Sequence, residues 1–562
     1  MNLKDFFKIP QSKYPISRVV LWLWQSWKGN MTQASINALL GIAEVGISLA
    51  LVWAMKNAID VASHSREGSL YVAVAIIGIL ILCDFALNIG MVWVKNILGV
   101  KAQNRMQQRV LDRILKSEWR SRDKFHSGDV LNRLEQDVSN VVTFLTETLP
   151  NTISVIALFL GSFIYLFSLD HVLAVVIVVM LPLFILVSKL YIGKMRNLTR
   201  MVRASDSRIQ SVLQETIQNR MLIKTLEKDD AMLNRLEKSQ VELRRNVVKK
   251  TSFTVFSNFI LNFGFALGYI VAFLWGALRL YAETLSFGGM TAFLQLVNRI
   301  QQPARNITRL IPLFVQVLTA AERLMELEED PLEPHGSPIW MDAGKGVGVR
   351  LENVCYSYDD STENILNHFS CDFKPGSCTA ILGETGAGKT TLVRMILSLI
   401  HPQEGRAVIY ASGGKEVELS AMTRCNFVYV PQGNTLLSGT IRDNLLLGRL
   451  SATDEDMEEA LHRACADFVF ELPEGLDTVC SEDGGGLSEG QAQRIAIARA
   501  LLREGNIMIF DEATSSLDPE TERNLLANIL DDTGKTIIFV THRMAVVEYC
   551  NQVIKIERHE HK

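Results

Sequence analysis

The sequence predicts a multidomain fold, an all-α transmembrane domain of six helices followed by an α/β domain built on a P-loop. Three observations carry this. Apolar residues crowd into the first 325 positions in runs that no soluble helix needs. Six of those runs reach the ~20 residues required to cross a hydrocarbon core. CTAILGETGAGKTTLVRMIL, from Cys378, then places G-x-x-x-x-G-K-[ST] between an apolar strand and a helical pattern. At 562 residues the chain is also too long for one core, so two or more domains are expected.

The spans fall near 33 to 58, 69 to 94, 141 to 168, 172 to 193, 253 to 281 and 287 to 310. VVLWLWQSW, before the first, reads as an amphipathic helix lying in the interface with its tryptophans at headgroup level. Short connections (HSREG, Asp170 with His171, AETLS) alternate with two long ones, 95 to 135 and 194 to 251, helical in pattern and rich in Lys and Arg. The positive-inside rule puts both long connections and both termini in the cytoplasm; an integral, multi-pass protein of the cell (inner) membrane is expected. The first residues lack a cleavage pattern, so no cleaved signal peptide is read. ELEEDPLEPHGSPIWMDAGKG fits no helix or strand period. It separates a transmembrane domain, 1–325, from a soluble domain, 348–562, through a linker, 326–347.

Within the spans, Asp84 admits two readings: a coupling or substrate contact, or a structural carboxylate bonded to a neighbouring helix. Gln295, Asn298, Gln302, Arg305 and Arg309 share one face of the sixth span. Such a stripe either lines a water-filled, basic cavity or marks where the helix has left the bilayer. Pro182 and Pro303 each remove a backbone donor and are expected to kink their helices.

Of eight cysteines only Cys83 lies in the apolar half, and the others lack CxxC spacing or His partners. Reduced, mostly buried thiols are expected, with neither disulfides nor zinc. The closing HEH offers no closed coordination shell and reads as a solvated tail. A net charge of -4 argues against a nucleic-acid partner.

In the soluble half, Gly383, Glu384, Thr385, Gly386, Ala387 and Gly388 form the loop, and Lys389, Thr390 and Thr391 open the helix behind it. Backbone amides and the helix dipole cradle phosphates there, Lys389 reaches the outer ones, and the Thr390 hydroxyl suits magnesium. These residues call for ATP and Mg2+. NIMIFDEATSSLD delivers Asp511 to a strand end, where it would hold the magnesium shell through water, and Glu512 follows as the group that polarises the attacking water. KTIIFVTHR ends at His542, placed to approach the gamma-phosphate from the edge where parallel sheets bind ligands. A second Gly-rich loop opens SEGQAQRIAIARALL, where Ser488 and Gln491 form an S-x-x-Q capping box and expose a further anion site. One nucleotide inside its own P-loop has little need of it, so the second loop would cover the nucleotide of a neighbouring copy.

With these motifs together, the chain resembles a half-transporter of the ATP-binding cassette (ABC) superfamily, exporter type, over nearly its whole length. LSEGQ at 487 to 491 is similar to the LSGGQ signature. The resemblance implies a RecA-like core with antiparallel β and helical subdomains. It makes Tyr358 the aromatic that stacks on adenine, and Gln432 the Q-loop glutamine that joins Thr390 at magnesium. Glu482 falls in an acidic loop near the membrane domain, Ser515 to Asp518 in the D-loop, and His542 becomes the switch histidine. FHSGDVLNRLEQDV at 125 to 138 and QETIQNRMLIKTL at 214 to 226 resemble the coupling-helix regions. Two such chains, a homodimer or a pair with a related half-transporter, would meet head to tail. Ser488, Gly490 and Gln491 of one would then complete the site begun by Lys389 of the other. Glu489 departs from the usual glycine and is expected to face away from the gamma-phosphate, since a carboxylate there would repel it.

The implied function is ATP-driven export of an amphipathic, lipid-like, drug-like or peptide substrate by alternating access. Two alternatives stay open, an ATP-gated regulator or channel and an importer. A soluble ATPase acting on nucleic acid fails on the six spans.

Overall fold

The computed structural model describes residues 14–29, 31–119, 127–342, 346–358, 364–384, 386–480, 486–531 and 534–557; the side chains of 32–33, 127, 180–193, 196, 261 and 303–312 are not among them. Two compact units result, Met1–Asp112 with Ser127–Glu329, and Arg113–His126 with Asp330–Lys562.

The described part of the first unit is helical. α1 (Ile16–Lys28) buries Val19, Trp22 and Leu23 and exposes Val20, Leu21 and Trp24, as the amphipathic pattern requires. It is followed by α2 (Met31–Ala62), α3 (Leu70–Lys116), α4 (Gly128–Leu169) and α5 (His171–Gln218). A short α6 (Arg220–Thr225) leads to α7 (Asp229–Tyr281) and α8 (Phe287–Glu328). The six predicted spans lie on the six long helices. In α2, α3, α4 and α7 the described stretches are long and apolar enough to cross a membrane. Those of α5 and α8 include side chains outside the described residues. α5 and α7 have 48 and 53 residues. At 1.5 Å per residue they extend ~70–80 Å, far beyond a hydrocarbon core of ~30 Å.

Where these helices have outrun their apolar stretches, polar pairs hold them. Asn246 Nδ2 donates to Ser205 Oγ at 2.9 Å, and Arg208 pairs with Glu242 at 2.8 Å. α2, α4 and α8 close on a core of Val52, Leu166, Phe293, Leu296 and Ile300. α4 carries two π-helical turns, Arg133–Asp137 and Phe144–Thr148. In the first, buried Arg133 reaches Asp129 at 2.8 Å and Glu326 of α8 at 3.0 Å. Helix assignment runs unbroken through Pro182 and Pro303.

The second unit begins with β1 (Val347–Tyr356), β2 (Leu366–Phe373), β3 (Cys378–Gly383), α9 (Lys389–Ile396), β4 (Glu404–Ala411) and β5 (Glu416–Glu418). Next come β6 (Phe427–Val430), β7 (Gly439–Thr440), α10 (Ile441–Leu446), α11 (Asp454–Arg463) and β8 (Val479–Cys480). It ends with α12 (Glu489–Leu501), β9 (Ile507–Asp511), α13 (Pro519–Leu530), β10 (Thr536–Val540), α14 (Met544–Val547) and β11 (Gln552–Ile556). A parallel sheet runs β11-β3-β10-β9-β6, and an antiparallel one β2-β1-β4-β5. Period-2 alternation divides the parallel strands between two cores. Met508, Phe510, Ile537 and Phe539 enter one with α11, α12 and α13. Ile507, Ile509, Ile538 and Val540 enter the other with α9 and the antiparallel sheet.

Two segments are strapped to this unit. Arg424 holds Glu333 through two bonds of 3.0 Å, and Met341 N donates to Asn426 Oδ1 at 2.8 Å. Residues from the α3 terminus join it too: Glu118 N donates to the Pro331 carbonyl at 2.9 Å, and Arg394 of α9 lies 5.9 Å over the Trp119 ring.

Asp170 fixes the turn between α4 and α5. Its carboxylate accepts from Val172 N and Leu173 N at 3.0 Å each, from Trp275 Nε1 at 3.1 Å, and pairs with Arg279 at 3.3 Å. Asp170→Ala removes a helix cap and leaves both α7 partners unsatisfied, a loss of about 1–3 kcal/mol. A lower melting temperature in detergent than wild type is expected; an unchanged one contradicts this role.

Candidate functional site

The site forms where β3, β9 and β10 end together. Val540 pairs with Ile381 on one side and Asp511 on the other, so all three strands release their chains at one edge. After β3 the loop turns through Gly386 at φ 85° and Gly388 at φ 101°, left-handed values that favour glycine. At Gly388 a Cβ would also meet Ile365 Cγ2 at 2.9 Å.

Lys389, the first residue of α9, is buried, and its ammonium donates to the Gly383 and Glu384 carbonyls at 2.7 and 3.3 Å. It also stands 2.8 Å from His542 Nε2. His542 Nε2 lies 3.5 Å from Glu512 Oε1, and Gln432 Nε2 donates to Glu512 Oε2 at 2.8 Å. Lys389, His542, Glu512 and Gln432 thus form one continuous polar array. Glu512 sits at φ 49°, a strained setting for a non-glycine residue.

Buried Asp511 accepts from Tyr429 OH at 3.2 Å. Burial pushes its carboxyl above the usual range; the Glu512 charge adds to this, while Tyr429 and Lys389 oppose it. A desolvated carboxylate within electrostatic reach of Lys389, whose helix also carries the Thr390 hydroxyl, is an oxygen donor suited to a hard cation.

Tyr358 meets Tyr356 edge to face at 5.2 Å, accepts from Arg394 at 2.9 Å and lies 3.5 Å from Thr391 Oγ1. The expected adenine platform is therefore tied to the P-loop helix.

At α12 both bonds of the capping box form: Gln491 N donates to Ser488 Oγ at 3.2 Å and Ser488 N to Gln491 Oε1 at 2.9 Å. Among the described residues neither side chain bonds to the Lys389 array. Ser488 and Glu489 are exposed. Gly490 is packed close, and a Cβ there would stand 2.9 Å from the Ser516 carbonyl. Ser515 N donates to the Glu512 carbonyl at 3.2 Å, and Asp518 caps α13.

Sequence reasoning missed Arg543, which holds the Ser515 carbonyl at 2.6 Å, the Leu517 carbonyl at 3.2 Å and buried Glu522 at 2.9 Å. It also missed Tyr429 and Gln493, whose amide reaches the Glu512 carbonyl at 3.5 Å. Elsewhere, Cys355 Sγ lies 3.6 Å from His368 Nδ1, and Glu404 completes three ligand-type atoms within 4.8 Å. The expectation of cysteines without His partners fails there, because the trio comes from three strands and no spacing signals it. Thr385, Glu482 and the HEH tail lie outside the described residues.

In the helical unit, Gln295 is half-buried with Nε2 3.6 Å from Met55 Sδ, while Asn298 and Gln302 are exposed. The Arg305 and Arg309 side chains lie outside the described residues. Half-buried Asp84 is within electrostatic reach of Glu44 and Arg299, neither of which belongs to the predicted stripe. Arg299 in turn bonds Ser48 of α2.

Comparison with known proteins agrees with both halves. The ABC transporter transmembrane region matches residues 35–304, and the ABC transporter domain matches 366–515. An uncharacterized ABC transporter ATP-binding protein of Sinorhizobium fredii is 31% identical over 530 residues, 90% of this chain and 87% of its own. An ATP-dependent lipid A-core flippase of Bordetella avium is 28% identical over 94% of this chain and 90% of its own. Among solved structures, a bacterial Atm1-family ABC exporter with ATP bound shares the fold at a TM-score of 0.77, with 22% identity and 95% of each chain covered.

The close approach of Gly490 to Ser516 makes a test. Gly490→Ala forces the 515–518 loop to shift at a cost of about 1–3 kcal/mol. At least a tenfold loss of ATPase activity with a retained fold by circular dichroism is expected; wild-type turnover refutes the packing argument.

Proposed function

The chain belongs to the ABC transporter family, whose members couple ATP hydrolysis to membrane transport, and from this premise we propose that it exports an amphipathic, lipid-like substrate as a dimer. The lipid A-core flippase relative supports the substrate class. In this reading the membrane is the cell's inner membrane, and the second unit faces the cytoplasm.

The observation that carries active turnover is the array from Lys389 through His542 and Glu512 to Gln432. Glu512, held by Gln432 and set by its backbone at the sheet edge, orients and deprotonates the attacking water. Lys389 and the P-loop amides bind the beta- and gamma-phosphates, and His542 approaches the gamma-phosphate from β10. Tyr358 stacks on the adenine. Thr390 and Gln432, with Asp511 through water, would hold Mg2+, whose chemistry is neutralisation of charge on the phosphate oxygens. Tyr429 keeps the Asp511 carboxylate oriented toward that position.

Ser488, Gly490 and Gln491 act in the partner's site. The reciprocal capping box pre-orders α12, so its N-terminal amides and dipole meet a nucleotide held by the second copy. Exposed Glu489 points away from that nucleotide, where its charge favours the helix dipole without opposing the phosphate.

Glu512→Gln keeps ATP binding and lowers steady hydrolysis by at least about 100-fold; near-normal turnover would remove Glu512 as the base. Glu489→Gly leaves the ATP Kd within about twofold, measured by fluorescent-nucleotide titration, and a tenfold change in either direction refutes its orientation. Inverted vesicles containing the wild-type chain accumulate a fluorescent phospholipid in their inner leaflet only with hydrolysable ATP. Accumulation equal to that of Glu512→Gln vesicles rejects lipid export.

A further inference from the structure

Away from the Lys389 array, one group of side chains has the chemistry of a metal site. Cys355 of β1, His368 of β2 and Glu404 of β4 bring a thiol, an imidazole and a carboxylate within 4.8 Å of one another. Three strands converge to make it. Cys355 lies directly opposite Glu404 in the antiparallel β1-β4 register, so both side chains stand on one face of the sheet. On the other flank, β2 takes three steps from Leu366 to Phe369 where β1 takes two from Tyr356 to Val354. The extra residue makes a bulge, and a bulge re-aims a side chain. His368 lies within it at φ 47°, and its Nδ1 reaches to 3.6 Å from Cys355 Sγ. A second bulge, in β1 against β4, holds Asn353 at φ 52°. Gly405 lets that bulge close, since a Cβ there would collide with the Asn353 carbonyl. Two left-handed, non-glycine residues beside one cluster are strain of the kind found at functional sites.

The spacing matches a tetrahedral ion. Metal–sulfur and metal–nitrogen bonds of ≈ 2.3 and ≈ 2.0–2.1 Å, set at a tetrahedral angle, separate the two ligand atoms by about 3.5 Å. Sγ and Nδ1 already stand that far apart. Cys355 is buried, and the His368 backbone N–H donates to its sulfur at 3.2 Å, which fixes the sulfur in place. Glu404 is exposed and among the described residues has no ion pair, while Arg406 beyond it engages Glu352 and Glu416. Its carboxylate can therefore swing onto an ion. Asn353 Oδ1, 3.1 Å from the same Nδ1, can only accept, and it takes the ring proton when no ion is bound. A thiolate, an imidazole and a carboxylate suit a borderline-soft cation, whereas hard Mg2+ and Ca2+ take oxygen alone. A thiol–imidazole hydrogen bond by itself would need neither Glu404 nor the second bulge.

We propose that Cys355 Sγ, His368 Nδ1 and the Glu404 carboxylate bind one Zn2+ per chain, with water in the fourth position. Binding sends the thiol proton to solvent and leaves the ring proton on Nε2. Because two of its ligands are exposed, the ion exchanges, unlike the zinc of a closed structural site. It ties β1, β2 and β4 together just before β1 delivers Tyr358. Gln403, next to Glu404, already grips Ser357: its Oε1 accepts from Ser357 N at 3.0 Å, and its Nε2 donates to the Ser357 carbonyl at 3.1 Å. The zinc thus stiffens the strand end that carries the proposed adenine contact, and its binding does not depend on that role.

Untagged full-length protein in detergent, reduced and stripped with chelator, is titrated with Zn2+ against a chromophoric chelator, and separately with Co2+. Saturating Mg2+ is present throughout to fill oxygen-only sites. One Zn2+ per chain is expected, and with Co2+ visible d–d bands together with a near-ultraviolet thiolate band. Glu404→Gln keeps the shape of an exposed side chain, and His368→Asn keeps a residue that tolerates left-handed φ. Each lowers zinc affinity by at least about tenfold with a circular dichroism spectrum like that of wild type. Cys355→Ala abolishes the thiolate band. Wild-type affinity in either the Glu404 or the His368 variant overturns the three-ligand site. A Co2+ complex of the wild type without the thiolate band overturns it as well, because the metal would then sit away from Cys355.

Discussion

The parallel register around Val540 is the constraint on which the nucleotide half depends. Because Val540 is paired with Ile381 and with Asp511, the P-loop, the Asp511 and Glu512 pair, and His542 emerge at the same height. The pairing continues one residue further, where Glu512 N donates to the Val540 carbonyl at 2.9 Å. That bond holds the backbone of Glu512 while its φ is left-handed, a conformation that costs of order 1–3 kcal/mol and survives only where surroundings over-determine it. Gln432, His542 and the backbone bond supply that over-determination.

The helical half answers a different constraint. Hydrocarbon offers backbone groups no partner, so each crossing must satisfy its own ladder. Side-chain polarity is concentrated where the helices turn or leave lipid: Asp170 at one turn, and Asp60, which accepts from Gly288 N at 2.9 Å, at another. The Arg133 and Arg323 network ties the opposite ends of α4 and α8. Glu44, Asp84 and Arg299 depart from this rule within the apolar stretches, and the opposite charge of Arg299 offsets part of the cost of the Asp84 carboxylate.

Features legible in the sequence were those encoded by local spacing. The P-loop, the cap made by Ser488 and Gln491, and the strand ends at Asp511 and before His542 each occupy a few consecutive residues. Gln432 carried no signal of its own and came from resemblance. Arg543, Tyr429 and Gln493 escaped because their partners are Ser515, Asp511 and Glu512, residues brought near only by the sheet. The polar stripe on the sixth span was read by helical period alone. That period could not reveal that Arg299, off the stripe, would find Ser48 on another helix.

The docking of Trp119 bears on how the protein is made. This residue and its neighbours precede most of the membrane helices in the chain, yet their packing partners, Pro331 and Arg394, are synthesised more than 200 residues later. The segment therefore emerges long before the surface that receives it. A C-terminal fragment begun at Asp330 would carry an uncovered apolar face beside the P-loop helix. The second unit is thus continuous in space but not in sequence, and its assembly waits for a segment from between two membrane helices to meet a surface made more than 200 residues later.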